Sequence, residues 1–111
     1  MIDWARVREL HDEIGAEDFQ LVADLFLDEV GEGIDAIPAA AQSPSAMAEQ
    51  MHALKGAAAN LGFAALADLA RAGEQAAMAG DSGAVTESEM RAVFDASVAV
   101  FQKDRATELA A

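Results

Sequence analysis

From Trp4 to Phe101 the apolar residues recur every three or four positions, and only two prolines, Pro38 and Pro44, interrupt that period. Such spacing gathers apolar side chains on one face of an α-helix, and each face needs a partner helix to cover it. Alanine, the residue that costs least in a helix, fills much of the rest, at 28 of 111 residues. With aromatics at 5%, little material is left for a sheet. The expectation is an all-α fold over residues 1–111: an antiparallel four-helix bundle with an additional short N-terminal helix.

Stop and start signals place the helices at about 3–14, 16–37, 44–61, 64–79 and 84–109. Asp3 is a candidate cap, Trp4, Val7, Leu10 and Ile14 form the first apolar side, and Gly15 ends it. The second stripe is Phe19, Val22, Leu25, Phe26, Val30, Ile34 and Ile37; Gly31 and Gly33 weaken it and favour a bend or a frayed end. Ser43-Pro44 opens the third helix and Gly62 closes it, and so short a link makes the next helix its antiparallel neighbour. Leu66, Leu69, Ala70, Gly73, Ala76 and Ala77 form one side of that neighbour. Gly80-Asp81-Ser82-Gly83 is a turn, after which Thr86 and Glu89 offer a capping box that competes with the earlier start at 84. Met90, Val93, Phe94, Ser97 and Phe101 point inward from the last helix.

The formal net charge of −13 argues against nucleic acid and anionic membrane as partners, because the mean field repels phosphate polymers. Without cysteine there is no disulfide, thiol chemistry or thiolate metal site. The first fifteen residues are too charged for a signal peptide, and the uncharged run from Gly56 to Ala67 is too short to span a bilayer. The expectation is a cytoplasmic, free-standing monomer.

One stretch stands apart: His52-Ala-Leu-Lys55-Gly56-Ala-Ala-Ala-Asn60-Leu61-Gly62. On a helical wheel Met47, Met51, Leu54, Ala58 and Leu61 gather on one side, and His52 points about 140° away from them, toward water. Lys55 and Gly56 share its face, as do Ser45, Ala48, Glu49 and Ala59. Taken singly, each feature has an ordinary explanation: a surface imidazole, a solvating lysine, a closely packed glycine. An interior glycine on a solvent-facing side is harder to explain, since it costs helix stability and packs against nothing. His11, flanked by Asp12 and Glu13 with no motif, reads as structural or solvated, and two histidines without a spaced acid make no metal site.

His52-x-Leu54-Lys55-Gly56 followed by Asn60-Leu61-Gly62 resembles the signature of histidine-containing phosphotransfer (HPt) domains. It departs from that pattern at Ala57 and Ala58, where the family often has serines, and both lie off the His52 face. The resemblance implies a phosphorelay intermediate in two-component signalling: His52 accepts a phosphoryl group from one response-regulator receiver aspartate and passes it to another. Lys55 would screen the phosphoryl oxygens, Gly56 would leave steric access, and Ala48, Glu49, Ala59 and Asn60 would meet the partner. The implied partners are receiver domains and a hybrid sensor histidine kinase. The Mg²⁺ of the reaction would sit in the receiver, the chain needing no cofactor of its own.

The chain has neither a P-loop nor a glycine-rich nucleotide fingerprint, so no ATP-dependent kinase activity is expected. Trp4 and Val7 either staple the first helix to the bundle or contribute to a docking patch. Two other functions compete: a module phosphorylated directly by a kinase ATP-binding domain, and a helical adaptor with no covalent chemistry. No second catalytic group can be placed beside His52 from the sequence.

Overall fold

The computed structural model describes residues 1–110; Ala111, the last residue of the expected unit, lies outside it. Among the described residues there are six helices and no strand: α1 (Trp4–Ile14), α2 (Ala16–Asp35), α3 (Ile37–Ala40), α4 (Pro44–Leu61), α5 (Ala64–Met78) and α6 (Glu87–Glu108). The long helices α2, α4, α5 and α6 make an elongated all-α bundle of 46 × 20 × 19 Å.

The ends follow local chemistry. The Asp3 side chain accepts from the Arg6 amide at 3.2 Å, and the Ser43 hydroxyl accepts from the Ala46 amide at 3.0 Å with Pro44 in the first turn. Gly62, at φ 88°, ends α4 in the left-handed region. The capping box prevails at the last helix: Thr86 and Glu89 cap each other's amides, so α6 starts at Glu87, not at 84. The expected 16–37 helix stops at Asp35, and the following turn leads into α3, which the sequence reading placed in a connection. Buried Ile37 anchors that single turn, and Pro38 fits its start.

At Gly31 and Gly33, where a bend or frayed end is expected, α2 runs on unbroken and ends at Asp35, two residues past Gly33. Gly33 has a packing reason: a Cβ there would lie 2.7 Å from Leu54 Cδ2 of α4. One member of the α2 stripe is misplaced, for Leu25 is 59% exposed. Ala23, not in the expected stripe, is buried in the core with Phe19, Val30 and Ile34.

Phe19, Phe63, Phe101, Ile34 and Met51 are among the fully buried side chains, each contributing about 1.5–3 kcal/mol through removal from water. The stripe predicted for the motif helix, Met47, Met51, Leu54, Ala58 and Leu61, is buried throughout. α1 acts as a clasp across the α4–α5 turn. The Asp3 amide donates to the Gly62 carbonyl at 2.7 Å, Arg6 Nε donates to the Asn60 carbonyl at 3.0 Å, and the Ala65 amide donates to the Met1 carbonyl at 3.1 Å. Val7 is buried, and Trp4 stacks on Phe101 with centroids 5.9 Å apart, so both staple α1 to the bundle. His11 sets its ring edge against Phe19 at 5.1 Å, a structural contact.

Candidate functional site

The site is built on the exposed face of α4, braced from the side by α5. Burial of Met51 and Leu54 fixes the rotation of α4, which leaves the intervening His52 with 68% of its side chain exposed. Small residues bring α5 close: a Cβ on Gly73 would meet Met51 Sδ at 2.9 Å. That close approach places the next residue, Glu74, alongside the motif.

Glu74 is the residue that sequence reasoning missed. One carboxylate oxygen meets His52 Nδ1 at 2.7 Å, and the other accepts from Lys55 Nζ at 2.7 Å. The carboxylate is only 15% exposed and Lys55 28%, so the bridge is partly sheltered from solvent. The hydrogen bond from Lys55 holds the Glu74 carboxyl below the usual carboxylate range; it outweighs partial burial, and the contact with His52 adds to it. An ionised carboxylate can only accept, so Nδ1 must be the donor in this pair. In a neutral imidazole that assignment leaves the lone pair on Nε2, which makes no hydrogen bond among the described residues.

A signal for Glu74 does exist in the sequence. His52 lies ten residues before Gly62 and Glu74 twelve after it, so an antiparallel hairpin about that turn sets them opposite each other. With 20 acidic residues in the chain, composition alone could not single it out.

Gly56 is exposed, and a Cβ built on it would meet nothing within 4 Å. Among the described residues no contact requires a glycine there. Of the other residues expected near the site, Ala48 and Glu49 line an open groove of about 620 Å³ that ends at His52 and Glu74. Ala59 lines a separate small pocket with Asp3 and Arg71, and the Asn60 carbonyl is held by Arg6. Ala57 and Ala58 are buried, off the His52 face as expected. Among the described residues, no group of three or more His, Cys, Asp or Glu side chains is placed to hold a metal ion.

Comparison with protein-family models matches the Hpt domain over residues 21–103. The chain belongs to the Hpt domain family. The match runs from α2 into α6 and takes in the motif helix and Glu74, leaving the α1 clasp outside. Neither the curated proteins nor the solved structures gave a match. Hpt domains serve phosphotransfer in two-component phosphorelays, acting with kinases and receiver domains. No helix among the described residues is long and apolar enough to cross a membrane.

Proposed function

We propose that this Hpt domain is a phosphorelay intermediate, taking a phosphoryl group onto His52 Nε2 from one receiver aspartate and delivering it to another. The observation that carries the reading is the Glu74 bridge, which gives each neighbour of the reacting nitrogen a task.

In the forward step the Nε2 lone pair attacks the phosphorus of an aspartyl phosphate. The N–P bond forms as the P–O bond to the aspartate breaks, and the aspartate leaves as a carboxylate. No proton has to move, because Nδ1 already holds the ring proton and Glu74 faces the positive charge that the ring acquires. Lys55, on the same carboxylate, supplies a cation near the phosphoryl oxygens, in a transition state where positioning and charge neutralisation do most of the work. The receiver would bring its own aspartate and the Mg²⁺ expected there, which would supply further neutralisation of the phosphoryl oxygens. Gly56 leaves room for the mouth of the receiver site to close over the ring. The reverse steps return the imidazole to its starting tautomer, ready for the second aspartate.

The test is transfer of labelled phosphate from a panel of phosphorylated receiver domains to the purified protein, with His52→Gln beside it. Label on the wild type alone, lost in acid and kept in base, supports the relay. A folded protein that accepts label from no receiver refutes it and favours a non-covalent adaptor; label from a kinase ATP-binding domain alone favours the directly phosphorylated module.

A further inference from the structure

The groove shares His52 and Glu74 with the chemistry above, and the rest of its lining has no part in that chemistry. Ala48 and Ala77 line it from α4 and α5, and Met78 stands at its side with 74% of its surface exposed. Among the described residues Met78 is the most exposed large hydrophobic, and it lies at the end of α5. Glu49 and Glu74 are the charged members of the lining, with no lysine or arginine among them, in a chain of net charge −13.

Resting on the phosphotransfer reading, we propose that this groove is the selectivity site for the receiver partner. It would seat a receiver surface, bordering the phosphoryl aspartate, that carries an apolar side chain for Met78 and a basic residue for Glu49. Two observations name this occupant. A receiver within bonding distance of Nε2 already covers the end of the groove, because His52 and Glu74 are part of its lining. The acid at the opening then favours a partner whose charge is opposite there, so electrostatics would sort receivers while the apolar contact holds them. Leu25 is comparably exposed on α2 but does not line the groove, so it is the internal control.

The experiment measures transfer rate against receiver concentration, using the receiver that phosphorylates the wild type fastest. Met78→Lys, on an exposed residue in the last turn of α5 where a cation suits the helix dipole, is expected to remain folded. It should raise the half-saturating receiver concentration by about tenfold or more while leaving the saturated rate within about twofold, as loss of an anchor does. Met78→Leu should restore wild-type behaviour, and Glu49→Lys should shift half-saturation in the same direction and reverse its dependence on salt. Unaltered half-saturation in Met78→Lys overturns the groove, as does a defect confined to Leu25→Lys. A wild-type dimer that Met78→Lys dissociates would give the groove to a second copy of the chain and overturn the proposal equally. A wild type that accepts phosphate from no receiver refutes the relay itself, and the groove assignment falls with it.

Discussion

Gly56→Ala should make the protein more stable and a poorer relay at once. Gly56 lies inside α4, twelve residues from its start and five from its end, where alanine is favoured over glycine by about 0.8–1.0 kcal/mol. The gain should be realised nearly in full, because the added methyl would have no atom within 4 Å to displace. For a domain of this size the melting temperature should rise by about 4–8 °C per kcal/mol, read by circular dichroism. The methyl would stand one turn from His52, under the surface a receiver has to approach. Transfer from a phosphorylated receiver should fall, and Gly56→Val should extend the loss toward about 10²-fold, the scale set by displacement of reacting groups by about 1 Å. A melting temperature that fails to rise would refute the packing argument. A stabilised variant that transfers at the wild-type rate would refute the assignment of Gly56 to access.

Gly73→Ala should act in the opposite direction: its Cβ would press on buried Met51, destabilising by about 1–3 kcal/mol as overpacking does, in the same melting experiment. Ser97 is buried and its hydroxyl has no hydrogen-bond partner among the described residues, so Ser97→Ala should raise stability to urea by about 1 kcal/mol. Glu74→Gln should slow transfer by about tenfold or more, because the ring loses the carboxylate that fixes its tautomer while the fold, by circular dichroism, is kept. The Glu74 carboxyl titrates below its ordinary value of 4.5 in the folded protein, so its contribution is complete above that pH and is lost as pH falls through the lower folded value. The stability difference between wild type and Glu74→Gln, followed in urea against pH, should therefore vanish at the acid end and not at neutral pH.

The order of the five longer helices was legible because their apolar residues follow the 3.6-residue period, whereas α3, a single turn of four residues, is too short to show one. In α2, Leu25 belongs to the apolar spacing yet sits 59% exposed, since the helix covers its core face with Phe19, Ala23, Val30 and Ile34 instead. Hydropathy cannot rank Leu25 below Ala23; only the direction of approach of α4 and α6 can. The glycines show the same limit. Gly33 and Gly56 read alike as interior helix glycines, yet one meets Leu54 at 2.7 Å and the other meets nothing. The motif located His52, Lys55 and Gly56 because all three lie on one helix, where spacing fixes the shared face. Glu74 escaped because its relation to His52 crosses between helices.

In the proposed relay, the charge at this site bears on how a single histidine would both receive and release phosphate. With neutral His52, the Lys55 ammonium and the Glu74 carboxylate cancel, so the local charge before transfer is near zero. A cationic pocket would bind the phosphoryl group more tightly once it arrived and would resist giving it up, which is ground-state stabilisation of the intermediate. A pocket with Glu74 and no Lys55 would repel the incoming oxygens. Pairing Lys55 with Glu74 would avoid both extremes in that relay: the ammonium would draw the oxygens in, and the carboxylate 2.7 Å from it would limit how much of that attraction persists afterward. Glu74 also meets His52 Nδ1, so in that relay the residue that tempers Lys55 would also stabilise the phosphorylated ring. One carboxylate on α5 meets both groups, 2.7 Å from His52 Nδ1 and 2.7 Å from Lys55 Nζ, so a single acid beside α4 would serve both tasks.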